Sequence, residues 1–188
     1  QKMMTYLAST FYNDAARSLN PQTYKNAESY YEKYRELMLL ANSSTDLVQQ
    51  DIKFKLALAS MLNQNLERQL ERDSSKTKEV KTIYKDILRL DLNNGSANYN
   101  LGILYYNEAV EIINKMDYDM DLERLNELQD ICINLFMKSL PYMLKSYELG
   151  YHVKETLKGL ENIYHGLNDT EKEEFYKKIL KDLEESEK

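Results

Sequence analysis

Five glycines and two prolines in 188 residues leave this chain few places to turn. A protein built of many short strands needs a turn every eight to twelve residues or so, made mostly by those residue types. Long helices joined by short loops need far fewer. Hydrophobic residues make up 43% of the chain and charged residues 30%, enough apolar content to fold rather than stay disordered. Between Ser96 and Met116 the apolar residues fall on two helical stripes. One is Ala97, Leu101, Leu104, Ala109, Ile112 and Met116; the other is Tyr99, Ile103, Tyr106, Val110 and Ile113. A helix of that length spans roughly 30 Å, and two stripes at 3–4 spacing mean that it packs on two sides. The expected fold class is all-α, with about eight helices in antiparallel pairs.

Local signals mark where helices begin and end. Asn20 before Pro21 reads as an N-cap followed by Pro at the first helical position. Gly150 and Gly166 stand where helices should stop. Thr170 and Glu173 form a capping-box pattern opening the last helix. Pro141 falls inside a predicted helix and should kink it.

The chain also repeats itself. Asn98-Tyr99-Asn100-Leu101-Gly102-Ile103-Leu104-Tyr105 resembles the first half of a tetratricopeptide (TPR) repeat, Trp-x-x-Leu-Gly-x-x-Tyr, with Asn98 in place of the Trp. Leu7, Ala8 and Phe11 repeat the pattern, Leu56 and Ala57 begin it again with Ser60 at the aromatic place, and Leu160, Glu161 and Tyr164 give a weaker copy. The second half, Ala-x-x-x-aromatic, resembles Ala27 with Tyr31 and Val80 with Tyr84, and more loosely Ser139 with Met143. The closing Pro of the family is missing; Leu92 stands where one would be expected. Leu56 to Leu101 is 45 residues and Leu101 to Leu160 is 59. Removing insertions of about 11 and about 25 residues between the two helices of each unit returns both intervals to the ~34 of the family. The first interval, Leu7 to Leu56, is 49; removing an insertion of about 7 still leaves an excess of about 8, which the 42–46 loop can hold. The resemblance implies a single domain over 1–188, a right-handed superhelical solenoid of about four helix-turn-helix units near 1–44, 45–94, 95–150 and 151–188, with elongated hairpins. Leu140-Pro141-Tyr142 is similar to a bacterial TPR subtype, often exported, with an extended third unit. This implies a periplasmic or cell-envelope setting in preference to the cytoplasm.

Charge and chemistry narrow the function. A net charge of −6 repels phosphate, so nucleic acid is not an expected partner. Basic tracts for an anionic membrane are missing, and no apolar run is long enough to insert in one. Asp117-Tyr118-Asp119-Met120-Asp121 opens like a calcium loop, but Leu122 and Leu128 stand where its Gly and Glu are needed, so an acidic helix start is expected instead. His152 and His165 lack zinc-site spacing, and Cys132, the single cysteine, lies between Ile131 and Ile133 as a core thiol. No phosphate loop or nucleophile elbow is present. The chain is therefore expected to be no enzyme and to use no cofactor or metal.

Sixteen tyrosines are the unusual excess. In TPR arrays the first helix of each unit lines a concave groove. Carried onto this chain, that face holds Tyr6, Tyr12, Asn13, Phe54, Tyr99, Asn100, Tyr106, Asn107 and Asn162. Tyrosine offers apolar area with a polar tip, and asparagine can bond an extended peptide backbone. The face lacks the basic residues with which some TPR proteins clamp chaperone C-termini. The expected function is a scaffold or adaptor that binds a protein or peptide segment in the groove. The alternative is a cell-envelope assembly component, or one that binds a small ligand or glycan. The last helix carries a polar outer face rich in Lys and Glu, as a terminal repeat needs. Met3, Met4, Leu7 and Phe11 arrive without a capping helix, so that face is expected to be covered by upstream repeats of a longer chain or by a second copy.

Overall fold

The structure, a computed structural model, describes residues 2–68, 73–117 and 119–186. Among them are eight helices and no strand: α1 (Lys2–Arg17), α2 (Tyr24–Ala41), α3 (Val48–Glu67), α4 (Ser74–Leu90), α5 (Gly95–Asn114), α6 (Leu122–Glu148), α7 (Val153–Gly166) and α8 (Thr170–Ser186). The protein is all-α. The helices fall into two compact units, Gln1–Leu90 and Asp91–Lys188.

In the first unit α1 packs on α2 and α3 on α4. Ala8, Ala15 and Ala27 are buried and let α1 and α2 approach closely. Tyrosines then bridge the wider gap from α2 to α3. Tyr31 stacks on Phe54, with ring centroids 4.0 Å apart and planes 1° from parallel. Its hydroxyl donates to Asp51 Oδ1 at 2.8 Å, and Arg35 Nε reaches the same oxygen at 3.0 Å. The start of α2 differs from expectation. Asn20 accepts from the backbone of Gln22 and Thr23, but it caps a single turn, and α2 itself begins at Tyr24. Pro21 lies in that turn and not at the first position of the helix.

In the second unit α5 packs on α6, α7 on both, and α8 on α7. Asn94 caps α5 by accepting from Ala97 N at 3.0 Å. Asn98 is 3% exposed, and its amide donates to the carbonyls of Leu92 and Asn94, so it ties the preceding loop to the helix. Gly102 sits against α6: a Cβ built there would lie 2.7 Å from Met143 Sδ and 3.4 Å from its backbone nitrogen. Ser139 Oγ, fully buried, donates to the Gly102 carbonyl at 2.7 Å across the same contact. Helix α6 runs on through Pro141, whose residue is exposed. Its C-terminus is a Schellman turn: Gly150, at φ +65°, donates to Tyr147 O and Tyr151 donates to Ser146 O.

Two end signals shift. At the end of α7 the left-handed residue is Asn168, at φ 57°, while Gly166 is still helical. Gly166 serves packing instead, because a Cβ there would strike the ring of Phe136. Helix α8 is capped by Asp169, which accepts from Lys172 N at 3.2 Å, so Thr170 is its first residue and no capping box forms. Glu173 reaches His165 Nδ1 at 3.1 Å and pins α8 to α7.

Candidate partner-binding surfaces

The expected groove residues divide between the two units. In the first, Tyr6 is 77% exposed and Asn13 is exposed. Tyr12 instead turns toward α2, its ring 5.1 Å from that of Tyr34 and 6.3 Å from that of Tyr31. Phe54, expected on an open face, is buried, because its stack with Tyr31 fills the α2–α3 gap. Phe11 also packs rather than lying open, 6.3 Å from Tyr30 with Lys33 over its ring. Met3, Met4 and Leu7 do lie exposed on α1.

In the second unit the expected residues converge. Tyr99 and Tyr106, two turns apart on α5, are half-buried on the side that meets α7. The Tyr106 hydroxyl lies near enough to the Asn162 side chain on α7 for the amide to favour its ionised form, and its ring packs against Phe136 at 5.9 Å. Tyr99 lies beside Tyr151 and His152, with ring centroids 6.1 and 5.2 Å away. Burial pushes both phenols above the ordinary tyrosine range, and the Glu155 carboxylate pushes Tyr99 further. Asn107 is partly exposed; Asn100 is too, but its amide donates to Ser96 O at 2.8 Å on its own helix. The surface offers the rings of Tyr99, Tyr106, Tyr151 and His152, with hydroxyls and side-chain amides held by packed helices. That set can sandwich an apolar side chain and bond a backbone.

Tyr151 and His152 were not legible as surface residues. The corner after α6 places them: Gly150 reverses the chain, and His152 takes a left-handed φ of 46° at the head of α7. The carbonyl of Tyr151 accepts from Ser146 Oγ at 3.1 Å and Thr156 Oγ1 at 2.9 Å, both buried, which fixes the corner. The signal available is Gly150, a helix stop, followed directly by two rings, Tyr151 and His152.

Two concavities were not foreseen. A cleft of about 380 Å³ opens in the first unit between α2, α3 and α4, floored by Tyr31, Phe54, Leu58 and Ile83. Its rim is charged: Lys55 pairs with Asp86 at 3.6 Å and Lys25 with Glu79 at 2.7 Å. The second, in the α5–α6 hairpin, is apolar and is lined by Ile113, Met116, Leu125, Ile133 and Phe136. Asp121 caps α6 there by accepting from Arg124 N, so the acidic run does open a helix; Tyr118 lies outside the described residues. Cys132 is buried, its thiol directed at Ala109 O at 3.6 Å and pushed above the usual thiol range by burial. Among the described residues no group of three or more His, Cys, Asp or Glu side chains gathers to hold a metal, and no helix is long and apolar enough to cross a membrane.

The chain matches no family model, no curated protein and no solved structure.

Proposed function

We propose that this chain is a TPR-like scaffold that binds a segment of another protein on the α5–α7 face of its second unit. One observation carries the reading: Tyr106 of α5 meets Asn162 of α7, two residues of the expected groove, while Tyr99, two turns earlier on α5, stands beside His152 at the head of α7. The packing of α7 on both α5 and α6 supports the repeat reading, because each unit of a solenoid must rest on the two helices of the unit before it. The close Gly102–Met143 approach supports it too, since the small residue of the motif serves there to let the paired helix in. Pro141 within the 27-residue α6 supports the extended, exported bacterial subtype and with it a cell-envelope setting. On this reading a covering element, a second copy or further repeats, seats on Met3, Met4 and Leu7 of α1.

The ring cluster of Tyr99, Tyr151 and His152 favours a second reading, a flat-faced ligand such as a sugar ring stacking there. Affinity capture from the native host separates the two. The wild-type chain should retain a protein that a Tyr99→Ala/Tyr106→Ala variant of unchanged helicity loses. Equal capture by both would end the scaffold reading of this face. Loss of a glycan signal without any protein would favour the second reading.

A further inference from the structure

We propose that the apolar groove of the α5–α6 hairpin is a second docking site, and that its occupant is a basic amphipathic helix. The site lies beyond the end of α7, adjoins the α5–α7 face at Phe136 and does not depend on that reading.

The argument begins with helix length. Helix α6 has 27 residues and α7 has 14, which at 1.5 Å per residue is roughly 40 Å against 21 Å. Helix α7 returns along α6 from the Gly150 corner, so it reaches only about halfway. It ends at Gly166, where the ring of Phe136 lies over its backbone. Gly166 and Phe136 both line the groove, which is thus the direct continuation of the seat that α7 occupies. The seat stays apolar after α7 has left it. On α6 the stripe Leu122, Asn126, Gln129, Ile133 and Met137 follows helical spacing, with Leu122 73%, Ile133 37% and Met137 57% exposed. Ile113 of α5 and Met116, just past its end, close the other wall around some 420 Å³. A helix that continued the line of α7 would bury the apolar residues of this surface and meet the amides of Asn126 and Gln129, which line the groove between Leu122 and Ile133.

Charge selects which helix. Residues 111–130 hold seven acids (Glu111, Asp117, Asp119, Asp121, Glu123, Glu127 and Asp130) against two bases, Lys115 and Arg124. Seven against two is −5 in this stretch, of −6 for the whole chain. Both bases are already engaged within it, Lys115 with Glu111 at 2.7 Å and Arg124 with Glu127 at 2.8 Å. An occupant therefore meets an apolar floor beside uncompensated negative charge. Aliphatic side chains at i, i+3, i+4 and i+7 suit the floor, and Lys or Arg along one flank suits the rim. A second copy of this hairpin would bring two acidic rims together, which argues against self-pairing here.

The test uses the full chain and a fluorescein-labelled 15-residue peptide with leucines at helical spacing and lysines on one flank, read by fluorescence anisotropy. The result expected is saturable binding that weakens as salt rises, at least about tenfold weaker for an otherwise identical peptide with glutamate flanks. Ile133→Ser should weaken binding about tenfold and Phe175→Ser, on exposed α8, should leave it unchanged. If Ile133→Ser loses helicity, Leu122→Ser carries the same comparison at a position where folding demands less. Glu123→Lys/Asp130→Lys should remove the preference for the lysine peptide. The proposal is overturned by no saturable binding, by binding indifferent to the groove substitutions or by equal affinity for both peptides. Sedimentation showing a dimer that Ile133→Ser dissociates would also overturn it, by making a second copy the occupant.

Discussion

Gly102 shows how far one residue could be read from sequence and what its substitution should do. A small residue within Leu-Gly-x-x-Tyr suits close approach of a paired helix, and the structure brings Met143 and Ser139 of α6 onto Gly102. Gly102→Leu should destabilise by about 1–3 kcal/mol through overpacking, measured by urea denaturation; an unchanged midpoint would contradict the packing described. Asp51 was not legible in the same way. A lone Asp in a helix gives no hint that a tyrosine and an arginine from α2 converge on it. Asp51→Ala should cost about 1–3 kcal/mol. Most of that comes from the buried Tyr31 hydroxyl left without its acceptor, because the Arg35 side chain is half in solvent. Tyr31→Phe in the Asp51→Ala background should then recover part of the loss, and a further loss would show that the orphaned hydroxyl is not what matters. Asn98 was read only as a missing Trp. Its role as a tie to the 91–94 loop depends on carbonyls that no motif records.

Among the elements, existence and pairing were legible and ends were not. Periodicity in the apolar residues sets which stretches are helical, so α5 was expected at 96–116 and is found at Gly95–Asn114. Ends depend on single side chains that compete. Asp169 and Thr170 can both cap, and Asp169 wins by one residue. Gly166 carried a stop signal, yet Phe136 from another helix uses its missing side chain, and Asn168 takes over the left-handed turn. Gly150 did act as expected. Gly150→Ala should destabilise by about 1 kcal/mol, since alanine at φ +65° is strained although space is open around it. Asn168→Gly, by contrast, should be neutral or slightly stabilising in the same denaturation assay. The candidate surface followed this division: Tyr99, Tyr106 and Asn162 lie on helix faces that periodicity fixes, whereas Tyr151 and His152 come from a corner that it does not.

At the scale of the molecule, tyrosine chemistry sets the response to alkali. Burial raises Tyr31, Tyr34, Tyr99, Tyr106, Tyr164 and Tyr176 above the ordinary range. Their folded pKa values exceed the unfolded value of about 10, so the unfolded chain releases protons first. Stability should therefore be full below about pH 10 and fall as pH rises beyond it. Tyrosinate absorbance and loss of helical ellipticity should rise together in one titration; full ionisation with ellipticity intact would contradict the burial. The open α1 face makes a separate prediction: Leu7→Ser should lower any self-association seen by sedimentation at micromolar concentration. The central claim, that the α5–α7 face receives a protein segment, is tested most directly by photo-crosslinking in the native host. A benzophenone side chain replaces Tyr99 or Asn162 on that face, or Lys178 on α8 as the control. The account predicts one common protein adduct from the first two positions and none from the third. Adducts from Lys178 alone, or the same set from all three, would contradict it.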